Sequence, residues 1–313
     1  MNNKLRIGVQ TGDWFDDLFG LENADAAFAF IKSCGFDDLD FNIDTQLPGK
    51  AIRSGELTSF FDASEEELFA YYRPLKEASE AHNIHINQMH GPFPMRVEGR
   101  EDICDYVLMA TEKCLAICQY IGCPMLIVHP VANDSSAFEW ETNLTMYRKL
   151  IPAGKKYGVK ICLENMFSTI NGYPRARACS DAAEAVRYID LLNAEAGEDI
   201  FGFCFDVGHA NLLRRNIRED LNTLGHRVTT LHIHDNNASK DLHLMPYTQK
   251  SGQSCTNDTD WNSFLAGLKD IGYTGTLSFE TFAALHDVPK ALIPSFLRLI
   301  ADIGAYWKEE LEK

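Results

Sequence analysis

Short apolar stretches of this sequence end, one after another, in histidine, aspartate or glutamate. His90 closes IHINQMH, His129 closes MLIVH, Glu164 closes VKICLE, and FGFCFD ends on Asp206 with His209 three residues later. His232 and His234 end VTTLHIH, Asp241 and His243 follow in the next loop, and Glu280 ends GTLSFE. The earlier stretch FDDLDFN adds Asp40 and Asn42. One such ending is what any solvated loop supplies; six in succession form an arrangement. Carboxylate oxygen and imidazole nitrogen are ligands of divalent cations. Cysteine is missing from the set, since Cys162 and Cys204 lie two residues deeper. The favoured ion is therefore hard or borderline: Mn²⁺, Mg²⁺, Co²⁺ or Zn²⁺. Glu164 and Glu280 carry the strongest expectation, because two carboxylates so placed, with no cation near them, would repel and raise each other's pKa.

The elements that must position these side chains alternate along the chain. Apolar or β-branched runs at 5–10, 36–42, 84–90, 124–130, 159–165, 201–206, 228–235 and 275–281 read as strands. Helical periodicity fills 23–34, 65–82, 101–121, 139–157, 180–194, 216–224, 259–271 and 288–311. Ser64, Ser180 and Asp258 or Thr259 stand where N-caps belong. Eight strands alternating with eight helices predict an α/β fold, a single (β/α)8 TIM barrel spanning 1–313 as one domain. An open doubly wound sheet would alternate similarly, but the first strand-to-helix turn lacks G-x-G-x-x-G. Residue parity favours closure. In step with the terminal acid or histidine lie the small Cys162, Cys204, Thr230 and Ser278, which suit a narrow interior. The opposite parity holds Ile161, Leu163, Phe203, Phe205, Leu231, Ile233, Leu277 and Phe279, which suit contact with outer helices. In such a barrel the active site lies at the C-terminal ends of the strands, where the acids and histidines fall.

Composition narrows the partners. The chain of 313 residues is 45% hydrophobic and 24% charged, with a net charge of −16 that disfavours a nucleic-acid partner. No apolar run approaches the ~20 residues of a membrane span, and Met1–Lys4 leave no room for a signal peptide. Nine scattered cysteines, an odd number without C-x-x-C spacing, lead us to expect free thiols and a cytoplasmic setting.

The series LEN, FDVGH, LHIHDN, D-x-H and SFET, with nearly all the chain around it, resembles the xylose isomerase-like barrel superfamily. That group includes sugar isomerases, ketose 3-epimerases, inosose dehydratases and apurinic-site endonucleases. The resemblance implies Glu164, Asp206, His232 and Glu280 as ligands of one divalent metal ion, with His209 holding substrate beside it. In the endonuclease branch the positions of His90, His129, His209, Asp241 and His243 would complete a cluster of three zinc ions, and all nine positions are filled here. Trp14, after QTGD, offers an aromatic wall to a sugar, and His234 a place at the rim. The chain departs from the ketose 3-epimerases at Ala238, where they carry an arginine, and Lys240 nearby is not an equivalent fork. The loop QKSGQSCTNDTDW lacks the G-x-G often found in relatives. Dimers or tetramers are implied by the resemblance alone.

The resulting expectation is a metal-dependent sugar, sugar phosphate or cyclitol isomerase or epimerase, with Glu164 and Glu280 removing and returning a proton through a metal-stabilised enediolate. His90, His129, His209, His234, Asp241, His243 and Trp14 are expected to contact the carbohydrate. Loss of a β-hydroxyl after the same first step would make the protein a dehydratase. Two readings compete: a trinuclear zinc endonuclease acting on abasic sites, for which Arg175 and Arg177 would have to meet phosphate, and a barrel that binds sugar without turning it over.

Overall fold

The computed structural model describes residues 5–249, 258–286 and 288–313. Its strands in chain order are β1 (Arg6–Gln10), β2 (Asp38–Asn42), β3 (His85–His90), β4 (Met125–Ile127), β5 (Lys160–Glu164), β6 (Phe167–Ile170), β7 (Tyr173–Ala176), β8 (Phe201–Asp206), β9 (Val228–His232) and β10 (Thr276–Phe279). All but β6 and β7 form one parallel sheet in the order β10-β1-β2-β3-β4-β5-β8-β9. Just beyond β9, Ile233 bridges to Phe279: its N–H donates to the Ser278 carbonyl (2.9 Å) and its own carbonyl accepts from Glu280 N–H (3.0 Å). These two bonds bring the sheet's edges together, and the protein is a (β/α)8 barrel.

The helices are α1 (Asp13–Leu18), α2 (Ala24–Cys34), α3 (Gly49–Ser54), α4 (Glu65–His82), α5 (Glu101–Ile121), α6 (Ser136–Tyr157), α7 (Ala182–Ala196), α8 (Val207–Leu212), α9 (Ile217–Leu224), α10 (Trp261–Asp270) and α11 (Ile293–Glu312). Ser64 caps α4 with a full capping box, accepting from Glu67 N–H while the Glu67 carboxylate accepts from Ser64 N–H. The other two caps differ from expectation. Asp181, not Ser180, caps α7, and Asp260 caps α10. Thr259 instead donates its hydroxyl to buried Asp235 (2.8 Å). The carboxylate makes the stronger, charge-assisted cap where serine or threonine lies beside it.

Parity settles the two cores. Ile161, Leu163, Phe203, Phe205, Leu231, Ile233, Leu277 and Phe279 belong to the large cluster between sheet and helices. Cys162 and Cys204 form a separate small cluster inside the barrel with Ile127, against which Met125 packs. Burial pushes the Cys162 thiol up to about 11, so it remains protonated and a poor ligand. Deeper in the barrel the filling is polar. Gln88 donates to Asp40 (2.9 Å) and accepts from Thr230, and Asp38 pairs with Arg6 (2.6 Å).

Candidate metal centre and active site

The mouth of the barrel gathers the strand-end residues into one continuous cluster. At its floor is His232, without solvent exposure. Its Nδ1 lies 3.4 Å from Glu164, 3.3 Å from Glu280 and 3.9 Å from Asp206, while its Nε2 faces Asp40 at 3.3 Å. The negative charge of Asp40 behind the ring favours a proton on Nε2, which leaves Nδ1 toward the acidic cluster. The register makes this possible, since Glu164 pairs with Cys204 and Asp206 with His232 across neighbouring strands.

On one side, His129 Nε2 lies 3.0 Å from Glu164 and 2.8 Å from His90 Nε2. Gln10 ties this side to Glu280, its amide donating to Glu280 Oε1 (2.8 Å) and lying 3.2 Å from His90 Nδ1. On the other side, His209 Nε2 and His243 Nε2 converge on Asp241 Oδ2 at 3.4 and 3.0 Å. His209 Nδ1 meets the Asn165 carbonyl (2.9 Å) and His243 Nδ1 the Glu280 carbonyl (3.2 Å). His243 adopts the left-handed region with φ 44°, rare for a residue with a side chain and common where a site dictates backbone shape.

Asp206 does two things at once. Its Oδ1 accepts from His209 N–H (2.7 Å) and caps α8, and its carboxylate lies 3.1 Å from His234 Nε2. The stretch after FGFCFD is therefore a short helix and not a loop, which fixes His209 one turn along.

The electrostatics are those of a site that wants a cation. Burial works against a charged His209, yet the carboxylates of Asp206 and Asp241 outweigh it and raise its pKa well above the usual value. His232 is raised in the same way, burial being overcome by Cys204, Glu280 and Glu164. His243 rises to about 9, burial being overcome first by Glu280 and then by Asp241. Burial alone would raise Glu164, but His232 and His129 bring it well below the ordinary carboxylate value, and His209 and His234 lower Asp206 likewise. The mutual repulsion expected of the carboxylates is thus neutralised by imidazoles on every side.

Among the described residues four overlapping sets have ligand atoms close enough for one ion: His90–His129–Glu164, Glu164–Asp206–His232, Asp206–His209–His234 and His234–Asp241–His243. The donors fit a divalent metal ion. Among the described residues the buried Asp241 Oδ1 has no hydrogen-bond partner, a state that a cation would relieve. Aromatic rings line the mouth: Phe93 lies 4.8 Å from His129, Phe167 4.9 Å from His209 and Phe282 4.6 Å from His243.

The structure does not bring Trp14 to this cluster. Trp14 is buried, donates its indole N–H to the Gln10 carbonyl (3.2 Å) and packs its edge on Phe15. Arg177 is engaged elsewhere, with Ser168 (2.6 Å) and the Asn133 carbonyl (3.0 Å), whereas Arg175 is exposed on the β6–β7 hairpin. Ala238 is buried, its N–H donating to Asn236 (3.0 Å). The part of the QKSGQSCTNDTDW loop from 250 to 257 lies outside the described residues, as does Cys255. Gln10, Asn165, Phe93, Phe167 and Phe282 are site residues that pattern reading missed. Of these, Asn165 within LEN and Gln10 within QTGD sat in stretches already singled out.

A match to the xylose isomerase-like TIM barrel family covers residues 28–305, and the chain belongs to that family. The chain is 30% identical over 179 residues to uncharacterized protein MJ1311 of Methanocaldococcus jannaschii, covering 55% of this chain and 54% of the relative, so it spans about half the length of that curated relative. Among solved structures, a D-tagatose 3-epimerase-like protein superposes with a TM-score of 0.65 at 20% identity, covering 96% of this chain and 99% of the other. D-allulose 3-epimerase from Methylomonas sp. superposes with a TM-score of 0.66 at 15% identity, covering 98% of each. At these identities the likeness establishes the fold.

Proposed function

We propose that the protein is a divalent-metal-dependent enzyme that isomerises or epimerises a small carbohydrate. The observation that carries this reading is the convergence of Glu164, Glu280 and Asp206 on a single nitrogen, His232 Nδ1, at the barrel mouth. Glu164, Asp206, His232 and Glu280 would hold the ion. When bound, such an ion supplies electrophilic stabilisation to a carbonyl and its adjacent hydroxyl. Glu164 ends β5 and Glu280 follows β10, with His232 between them, so that one takes the proton next to the carbonyl and the other returns it. Gln10 holds Glu280 in place, and Asn165 positions His209 to bind substrate oxygen. Return of the proton to the neighbouring carbon gives isomerisation, and to the opposite face of the same carbon, epimerisation. The rings of Phe93, Phe167 and Phe282 suit the apolar face of a sugar. The superposed D-tagatose 3-epimerase-like protein and D-allulose 3-epimerase support the same substrate class.

A second reading rests on one observation. His90 and His129 on one flank, and Asp241 and His243 on the other, extend the ligand set enough for two or three ions. A set of that size suits phosphodiester hydrolysis at an abasic site. The net charge of −16 opposes a polyanionic substrate. Among the described residues no helix is long and apolar enough to cross a membrane. Incubation of the metal-loaded protein with a panel of ketoses and inososes in D₂O, alongside an abasic duplex, separates the readings. Deuterium beside the carbonyl supports the first, and metal-dependent nicking of the duplex with no exchange refutes it.

A further inference from the structure

His234 sits inside this cluster, yet its surroundings differ from those of the other histidines. The ring has no solvent exposure. One face lies on the backbone of Gly208, where a β-carbon would meet ring atom Cε1 at 1.9 Å and both nitrogens at 2.4 Å. The other face stacks on His243, with centroids 4.1 Å apart and planes inclined by 26°. The glycine of FDVGH is therefore the residue that makes room for this ring.

The ring nitrogens sort the histidines by role. His209 and His243 each direct Nδ1 at a backbone carbonyl, which fixes a proton there and leaves Nε2, facing Asp241, as the nitrogen a cation would take in exchange for its proton. His234 is the reverse. Among the described residues its buried Nδ1 has no hydrogen-bond partner, so a proton on that atom would be an unsatisfied buried donor. The proton belongs on Nε2, 3.1 Å from the Asp206 carboxylate and 3.6 Å from Asp241 Oδ1. A nitrogen that carries a proton has no lone pair to offer a cation.

We infer that His234 is a positioning residue: clamped between Gly208 and His243, it donates Nε2–H to Asp206 and so holds the carboxylate that joins Glu164 and His232 in the proposed centre. It is neither a ligand nor a substrate contact. This rests on the proposed metal centre, and the test separates the two.

The metal-free full-length protein is titrated with Co²⁺, following affinity, stoichiometry and the visible absorption of the bound ion. His234→Leu removes the donor, His234→Gln replaces it with an amide donor, and Gly208→Ala displaces the intact imidazole. We expect His234→Leu to bind Co²⁺ ~10–100-fold more weakly with an altered spectrum and unchanged stoichiometry, the range for lost outer-shell support. His234→Gln should recover most of that loss, and Gly208→Ala should reproduce it with the histidine still present. If His234→Leu does not fold, the Gln and Ala variants decide alone. Wild-type affinity and spectrum in the Leu and Ala variants would overturn the inference. So would the loss of one whole ion in both His234 variants, which would make His234 a ligand. A wild-type protein that binds no Co²⁺ would instead overturn the metal centre itself.

Discussion

Asn165 and Asp206 clasp one another across two strand ends. The side-chain amide of Asn165 donates to the Asp206 carbonyl (2.7 Å), and its side-chain oxygen accepts from Asp206 N–H (2.8 Å). Both residues are buried, and each neighbours or is a carboxylate of the proposed centre. This pair of bonds does for the mouth what strand pairing does lower in the barrel: it locks Glu164 and Asp206 into one frame. Asn165→Leu leaves a buried N–H and a buried carbonyl unpaired, a loss of about 2–6 kcal/mol at ~1–3 kcal/mol for each. Urea unfolding of the metal-free protein measures it. Asn165→Asp should also destabilise, because an ionised carboxylate cannot donate to the Asp206 carbonyl.

Metal uptake should release protons. In the metal-free protein the pKa values of His209 and His232 are raised well above the ordinary value and that of His243 lies at about 9, so all three carry protons at pH 7. A cation must displace those protons from the nitrogens it takes, and apparent affinity therefore rises with pH through this range. Titration with Zn²⁺ in a weakly buffered indicator solution should register acidification.

The same groups give the metal-free protein a pH-dependent stability with a defined sign. His243 has a folded-state pKa of about 9 against an ordinary value of 6.5. Its contribution is fully present below about 6.5 and is lost as pH rises through about 9. Glu164 and Asp206, whose pKa values are lowered, contribute above the ordinary carboxylate range and lose that contribution on acidification. Thermal midpoints of the metal-free protein should fall between pH 7 and about 9.5, and those of the loaded protein should fall less.

Far from the site, Ser64→Ala removes the capping box of α4 and should cost about 1 kcal/mol of stability. Turnover should be unaffected, which makes this variant a control for the site variants. Chemical denaturation together with an activity assay checks both halves.

How much of this was legible before the structure was known depends on the kind of residue. Glu164, Asp206, His232 and Glu280 stood out because charged groups interrupt apolar runs at one phase, and that phase coincides with the small Cys162 and Cys204 of the interior. Gln10 and Asn165 did not stand out. They are neutral amides whose partners lie 270 and 41 residues away, and nothing local announces such bonds. The β6–β7 hairpin passed as part of a long loop although Asn171 and Gly172 form its turn with positive φ. Its strands are four residues each and half exposed, too short for an alternating pattern to show. α1, α3 and α8 have six residues apiece, too few for helical periodicity. Trp14 was placed by its position at a strand end, but its indole turns inward to the Gln10 carbonyl.

The hairpin itself yields a prediction. Arg177 binds Ser168 within it and the Asn133 carbonyl beyond it, while Phe167 at its base packs against His209. Arg177→Ala should leave the barrel folded but accelerate proteolytic cleavage between 167 and 177. It should also raise KM for the sugar more than it lowers kcat, since it loosens a wall and leaves the two glutamates untouched.

In the proposed reaction Glu164 and Glu280 are the two groups that move a substrate proton. Its most direct test is deuterium incorporation from D₂O beside the carbonyl of a ketose, followed by NMR with the metal-loaded wild type and with Glu164→Gln and Glu280→Gln, each checked for bound metal. The wild type should incorporate deuterium as it interconverts the sugar, and each variant should be slower by ~10²–10⁴-fold, the usual contribution of a general acid or base. Incorporation at the wild-type rate in both metal-retaining variants would contradict the account.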